Sequence, residues 1–475
     1  MLKTRLAPFA LALCAATSAQ AQVALIAKGA VSGAYQDLSA RTAGALENGV
    51  AGNRLGGLGS GIAYAGGSTF ITVPDRGPNA VSYNAALDDT ASYIARIETF
   101  SLRLAPAAPD SGTSLPFVLT PTLRRTTLLH SESALVYGSG AGLGVGSGAP
   151  GLNAEDGVYY FTGRSDNFNP ATLSSDPRDA RFDPESIRVS RDGRSVFISD
   201  EYGPHIYEFD RATGRRLRII QLPEQFAVKA KSPVGGAEIS GNASGRVANK
   251  GMEGLAITPD GSTLIGILQS PLIQDGGTDG STTRLVAINL RTGATRQFAY
   301  PLTNVGSAKK PKYTTVSDLV AVNGHQLLVD ERDGHGLGDG SAAAFKRLFV
   351  IDLQGAQDVS ALSGEAALAP KAVAKTLFLD VATALGASGL QPQDVPAKLE
   401  GLAFGPDVTL NGVTTHTLFM TNDNDFIASV TDAFHPTGAE NPNQFFVFGF
   451  TDNDLPGFVP QDIEPVREEG HPHRF

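Results

Sequence analysis

Three segments of this chain share one pattern: ESIRVSRDG from Glu185, EGLAITPDG from Glu253 and EGLAFGPD from Glu400. Each opens on a glutamate, runs through an apolar stretch and reaches an aspartate seven residues later, at Asp192, Asp260 and Asp407. Two copies are reduced. SGIAYAGG begins at Ser60 and lacks the acid, and SDLVAVNG puts Asp318 at the head of a shorter arm. Turn chemistry between two apolar runs reads as a β-hairpin. The turn leads into a second apolar strand that again ends in polar residues: Asp75 in ITVPDRGP, Asp200 in VFISDEYGP, Glu331 in LLVDERDG. The hairpin after Asp407 is longer and ends at Asn422, Asp423 and Asp425, while the copy after Asp260 ends in Gln269. Recurrence of one supersecondary unit restricts the chain to a repeat architecture.

The spacing sets the unit size. Copies begin at 60, 185, 253, 318 and 400, so three successive steps are 68, 65 and 82 residues. Such steps suit a four-stranded blade with variable loops. The first step, 125 residues, spans about two units. YIARIETFSLRL (93–104) and PFVLTPTLRRTTLLH (116–130) read as strands in that gap, and the glycine-rich run 138–151 reads as a loop within an insertion near 131–180. The expected fold is therefore all-β, a propeller of six blades, with five or seven as the alternatives. The early VALIAKG and the late NQFFVFGFT would complete one blade together and close the ring.

This architecture explains why a carboxylate stands at the mouth of a strand about to be buried. The start of the first strand of a hairpin lies beside the end of the second. In a propeller the first strand of each blade lines the central channel. The repeat acids then gather at one mouth: Glu185, Glu253, Asp318 and Glu400, with Asp75, Asp200, Glu201, Glu331 and Asp423 close by. Carboxylates crowded at low dielectric repel unless protonated or bound to metal. A hard divalent cation with oxygen ligands, most simply Ca2+, resolves the crowding. The competing reading is structural, with the rim acids capping amides or pairing with Lys250, Lys398 and Arg181. Asp192 and Asp260 are turn formers on either reading.

Other chemistries lack their signatures. His205, His325 and His335 form no H-x-x-x-H pattern, and neither a G-x-S-x-G elbow nor a P-loop occurs. DGGTDG (275–280) and DGHGLGDG (333–340) look like cation loops but lack EF-hand spacing. The N-terminus carries Lys3 and Arg5, an apolar stretch and Ala19-Gln20-Ala21, the layout of a secretory leader cleaved after Ala21. Leu13 before Cys14 is bulky where a lipidation signal wants a small residue. Cleavage would remove the only cysteine, so no disulfide is expected, and would take the net charge from −10 to −12. An acidic, exported, periplasmic or secreted chain is not a nucleic-acid binder. No other apolar run is long enough to span a membrane.

DPESIRVSRDGRSVFISDEYGP, NKGMEGLAITPDGSTLIGILQSPL, VSDLVAVNGHQLLVDERD and AKLEGLAFGPD with LFMTNDNDF resemble the bacterial phytase-like family, described by its "esterase-like activity of phytase". GSGIAYAGGSTFITVPDRGP resembles its first motif, and the resemblance runs over roughly 50–450. It implies a repeated domain spanning 22–475 that shares glutamates and aspartates, with phosphodiesterase or phosphoesterase activity. Its motif acids fall on Asp75, Glu185, Asp200, Glu201, Glu253, Asp318, Glu331, Glu400 and Asp423. The sequence departs at Ser186, where DPEG is usual. The expectation is a monomeric metal-dependent hydrolase of a small phosphate ester. Glu185, Glu253, Glu400, Asp318, Asp200 and Asp423 are the expected ligands, and Glu201 is the general base beside Asp75. Arg76 and Arg332, each directly after a motif acid, would hold phosphate oxygens or pair with neighbouring acids. Two alternatives are a calcium-dependent lactonase or carboxylesterase, and a propeller that binds without catalysis.

Overall fold

Turns form where the repeat places them. Gly193 and Gly261 take φ of 69° and 70°, the left-handed region open to glycine. Asp192 and Asp260 each accept a hydrogen bond from the amide two residues on, Arg194 and Ser262, both at 3.1 Å. The flanking strands are buried on both faces, which is why they read as continuous apolar runs rather than alternating ones. This computed structural model describes residues 23–79, 90–138, 153–155 and 157–464. The leader expected at 1–21 and most of the glycine-rich 138–151 run lie outside them.

Five antiparallel blades result, four of them four-stranded and the fifth with an extra short strand, Val408–Leu410, paired to Val413–Asp423. The first is Gly61–Tyr64, Thr69–Val73, Arg96–Pro106 and Phe117–Leu128; the second is Pro184–Val189, Ser195–Asp200, His205–Asp210 and Arg216–Gln221. The third is Met252–Ile257, Thr263–Leu268, Thr282–Asn289 and Thr295–Pro301; the fourth is Thr315–Ala321, Gln326–Arg332, Lys346–Asp352 and Lys375–Asp380. The fifth runs Lys398–Phe404, Val413–Asp423, Asn443–Phe450 and finally Ala24–Val31, so the two chain ends share a blade as expected. The innermost strands form a closed ring, each packing on the next and the fifth on the first.

The propeller has five blades, not six. The strands assigned to a sixth blade are the third and fourth of the first, an unusually long hairpin pairing Arg96 with Leu128 through Pro106 with Phe117. The chain then makes an excursion carrying one small sheet, His130–Ser131, Ala154–Glu155 and Val158–Tyr160, before the second blade begins. The apolar core has the same fivefold division. Ile71, Ile97, Ile187 and Val196 fill the first seam; Phe197, Leu255 and Val286 the second; Ile267, Leu285 and Leu319 the third. Leu328, Leu402 and Phe446 fill the fourth, and Ile62, Phe100 and Phe419 close the ring. Each fully buried side chain of this size contributes about 1.5–3 kcal/mol, so the seams hold the blades together. Among the described residues no helix is long and apolar enough to cross a membrane.

At the end away from the motif acids the C-terminal segment crosses the inner strands. Amides of Val459, Asp462 and Glu464 donate to carbonyls of Val322, Pro259 and Arg191, at 2.8, 3.0 and 2.8 Å. This tail leaves a cavity of about 60 Å³ lined by Ile62, Arg188, Ile257, Val320 and Leu402, one residue from each inner strand.

Candidate functional site

Four inner strands carry a motif acid, and each breaks register with its neighbour at that acid. The shifts fall at Glu185–Ser186 opposite Ser199, at Glu253, at Ser317–Asp318 opposite Asp330, and at Glu400–Gly401 opposite Thr421. The first blade, with Ser60 in place of the acid, pairs without a shift. A bulge re-aims a side chain and bends its strand. Here it turns the acids of the second, third and fifth blades toward the mouth. The glycine after the acid serves the close approach of strands: a Cβ on Gly254 would lie 2.9 Å from the Asp318 Cα. Ser186 in that position instead donates its hydroxyl to Asp318 at 2.8 Å.

Three overlapping carboxylate groups form an arc: Asp423–Asp425–Asp75, Asp75–Asp183–Glu185, and Glu185–Glu201–Glu253, with ligand oxygens in each group within 4.8 Å of one another. Protein cations serve the first two. Lys398 Nζ is 2.7 Å from Asp423, bonds Asp425, and is 4.0 Å from Asp75. Arg76 reaches Asp75 at 3.5 Å and Asp183 at 3.4 Å. No lysine or arginine among the described residues lies within ion-pairing distance of the third group. Lys250 points nearby but donates to Gln269 Oε1 at 2.9 Å, and Gln269 Nε2 donates to Glu253 Oε1 at 2.7 Å.

Burial dominates the electrostatics. Glu201 and Glu253 are 1% and 2% exposed. Both carboxyls are pushed up to about 8, first by burial; the next cause is Glu253 for Glu201 and Glu400 for Glu253. Glu185 is driven well above the carboxylate range by burial and then by Glu253. Burial lifts Asp75 to about 6 against Arg76, and Glu400 to about 7 against Arg332. Oε2 of Glu201 and Oε2 of Glu253 are buried and meet no donor. An oxygen-only donor set with unsatisfied, inward oxygens fits a hard divalent cation.

Several expected site residues lie elsewhere. Asp318 is below the mouth on the channel axis. Arg188 (2.8 Å), Ser186 and the amides of Leu402 (2.9 Å) and Leu255 (3.3 Å) occupy its oxygens, so protein donors already balance it. Asp200 faces away, accepting from the amides of Asp183, Tyr202 and Gly203 at 3.1, 3.1 and 2.9 Å. Glu331 is likewise spent on Tyr300, Thr303, Thr314 and Lys375. Glu400 bonds Arg332, whose Nε donates to Ser317 at 2.7 Å, so the third glutamate beside Glu185 and Glu253 is Glu201 rather than Glu400. Asp423 reaches the mouth but is held by Lys398. Asp183, two residues before the repeat glutamate, had no repeat signal to mark it.

A family model described as phytase-like, "Esterase-like activity of phytase", matches residues 53–426. This chain belongs to the phytase-like family. The phytase-like domain is also 31% identical over 252 residues to an uncharacterized secreted protein of Arthroderma benhamiae; the match covers 48% of this chain and 46% of that protein, so the chain spans about half of its length. Among solved structures it is similar to a putative 6-phosphogluconolactonase from Bacteroides uniformis (12% identity, 86% and 97% of the two chains, TM-score 0.28). It is also similar to a periplasmic gluconolactonase from Pseudomonas aeruginosa (11% identity, 84% and 90%, TM-score 0.28).

Proposed function

We propose that this phytase-like domain is an exported hydrolase of phosphate esters that depends on one divalent cation, with Ca2+ the best match to its donors. One observation carries the reading. Of three contiguous carboxylate groups, two contain a protein cation, and the third, Glu185–Glu201–Glu253, contains none while holding buried oxygens without donors. Those three glutamates would hold the ion. A bound cation supplies Lewis-acid polarisation of a phosphoryl oxygen and acidifies a nearby water. The remaining roles fall to the chain. Asp75, raised only to about 6, is ionised at neutral pH and placed to take a proton. Arg76 and Arg332 stand at the same rim, where their guanidinium groups would orient an anionic ester that several carboxylates would otherwise repel. The secretory pattern of 1–21 supports export to the periplasm or beyond, as does the relative named as secreted.

The test is metal content of the purified mature protein together with hydrolysis of phosphomonoesters, phosphodiesters, lactones and aryl esters, with and without chelator. One bound ion and chelator-sensitive phosphoester turnover are expected. Turnover of neutral esters alone would establish the lactonase or carboxylesterase reading instead. An ion without turnover of any ester would leave a binding propeller.

A further inference from the structure

We infer that the mouth holds a single divalent ion because the Lys398 ammonium occupies the second carboxylate nest as a fixed, covalently tethered cation. The inference rests on the metal reading above and extends it to the composition of the centre. The nest is formed by Asp75, Asp423 and Asp425, whose ligand oxygens, like those of the three glutamates, lie within 4.8 Å of one another. The difference is the occupant. Lys398 Nζ is 2.7 Å from Asp423 Oδ2, bonded to Asp425 Oδ1 and 4.0 Å from Asp75 Oδ2, so one ammonium faces all three acids.

The backbone supports this placement. Asp425 and Phe426 take φ of 51° and 58°, a left-handed pair without glycine, which costs conformational energy. That conformation brings Asp425 back over Lys398, and the Asp425 amide donates to Asp423 Oδ1 at 2.6 Å. Lys398 stands two residues before the motif Glu400, and the second blade has Asp183 two residues before Glu185. Equivalent places on two blades thus carry opposite charges, Lys398 in the Asp423–Asp425–Asp75 group and Asp183 in the group next to it. A solution ion entering the Lys398 nest would have to expel a tethered ammonium from three acids and leave it unpaired. In the glutamate group it meets no such competitor. A substrate at this mouth therefore encounters one metal ion and one lysine instead of two metal ions.

The experiment counts calcium ions per chain by native mass spectrometry, after equilibration with calcium chloride, on the full-length mature protein. Wild type is expected to hold one ion, Lys398→Arg one and Lys398→Met two. Wild type with two ions, or Lys398→Met with no more ions than wild type, overturns the inference while leaving the metal reading intact. Wild type with none overturns the metal reading itself; a gain of one ion in Lys398→Met would then still support the role of Lys398. Removing the ammonium leaves buried acids unpaired, so Lys398→Met is expected to fold only with calcium present. Failure to fold at any calcium concentration shows that the nest cannot accept an ion, and overturns the inference. The double variant Lys398→Met/Asp425→Asn has the same net charge as wild type and retains Asp75 and Asp423. It is expected to take the extra ion more weakly, and a folded double variant with no extra ion counts against the inference.

Discussion

Replacing Glu253 with glutamine separates the two effects its carboxylate has on stability. Without a cation the folded pKa is pushed up to about 8, by burial and then by Glu400, against about 4.5 when unfolded. The folded state therefore holds an extra proton between those values. Stability from this group is fully present below about 4.5 and is lost as pH rises through 8. One extra proton corresponds to about 1.4 kcal/mol per pH unit, so moving from pH 5 to pH 7 costs wild type about 3 kcal/mol. An unfolding entropy of about 2 cal/mol/K per residue gives a chain of this size on the order of 1 kcal/mol/K, so the loss is about 3 °C in Tm. Glutamine has the same shape, keeps an acceptor for Gln269 and does not titrate, so the variant should flatten that slope in chelator. With cation at about 100 times Kd, wild type gains about 2.7 kcal/mol by mass action, again about 3 °C. The variant, short of one ligand, should lose most of that gain. Scanning calorimetry at pH 5 and 7, with chelator and with calcium, reads both effects. Glu253→Gln should be the more stable protein at pH 7 in chelator, and calcium should close most of that gap by stabilising wild type more than the variant. Parallel pH slopes together with equal calcium responses would refute the argument.

Arg76→Ala and Arg332→Ala should each lower phosphodiester kcat/KM by about 10- to 100-fold, from a charge-assisted bond of about 1.5–3 kcal/mol. Neutral aryl ester turnover should be spared, and an equal loss on both substrates would point to misfolding instead. Arg188→Met should cost about 3–5 kcal/mol by leaving Asp318 buried and unpaired, read as a drop in Tm, while the ion count stays unchanged; loss of the ion would return Asp318 to the ligand set. Mass spectrometry of the exported protein should find Gln22 as the first residue, and an intact Met1 or a lipid on Cys14 would contradict the leader reading.

The fold was legible because hairpin repeats leave a strong local signal. The blade count was not, because spacing cannot separate a lost blade from one long hairpin followed by an excursion. The gap before Glu185 holds Arg96–Pro106 and Phe117–Leu128, whose apolar patterns suit either case. The site was legible in part, and the errors come from the phase of a strand. Counting from the turn aligned Asp75 with Asp200 and Glu331. Successive side chains on a strand point to opposite faces, so a slip of one residue exchanges mouth for seam. The residues facing the mouth are Asp75, Glu201, Arg332 and Asp423. Asp200 and Glu331, one place earlier in their copies, are turned to backbone amides and to Lys375. The bulges, which no composition reveals, set the phase of the other strand.

Asp318 and Glu253 show what separates an anchored acid from an available one when both stand at an inner-strand bulge, Asp318 one place later in the repeat, where Gly254 follows Glu253. Each stands at a bulge on an inner strand, and each is almost wholly buried. Asp318 has Arg188 across the channel and two amides and a hydroxyl on its oxygens, so its charge is balanced and its lone pairs are spent. Glu253 has one amide donor from Gln269 and an Oε2 that meets nothing. A buried charge without a partner costs several kcal/mol, and a group that can titrate escapes the cost by taking up a proton. Three such glutamates side by side can instead share one cation, which repays the desolvation of all of them together. The one-residue offset of Asp318 in the motif and the donors already committed to each acid together decide which acids remain available to bind metal.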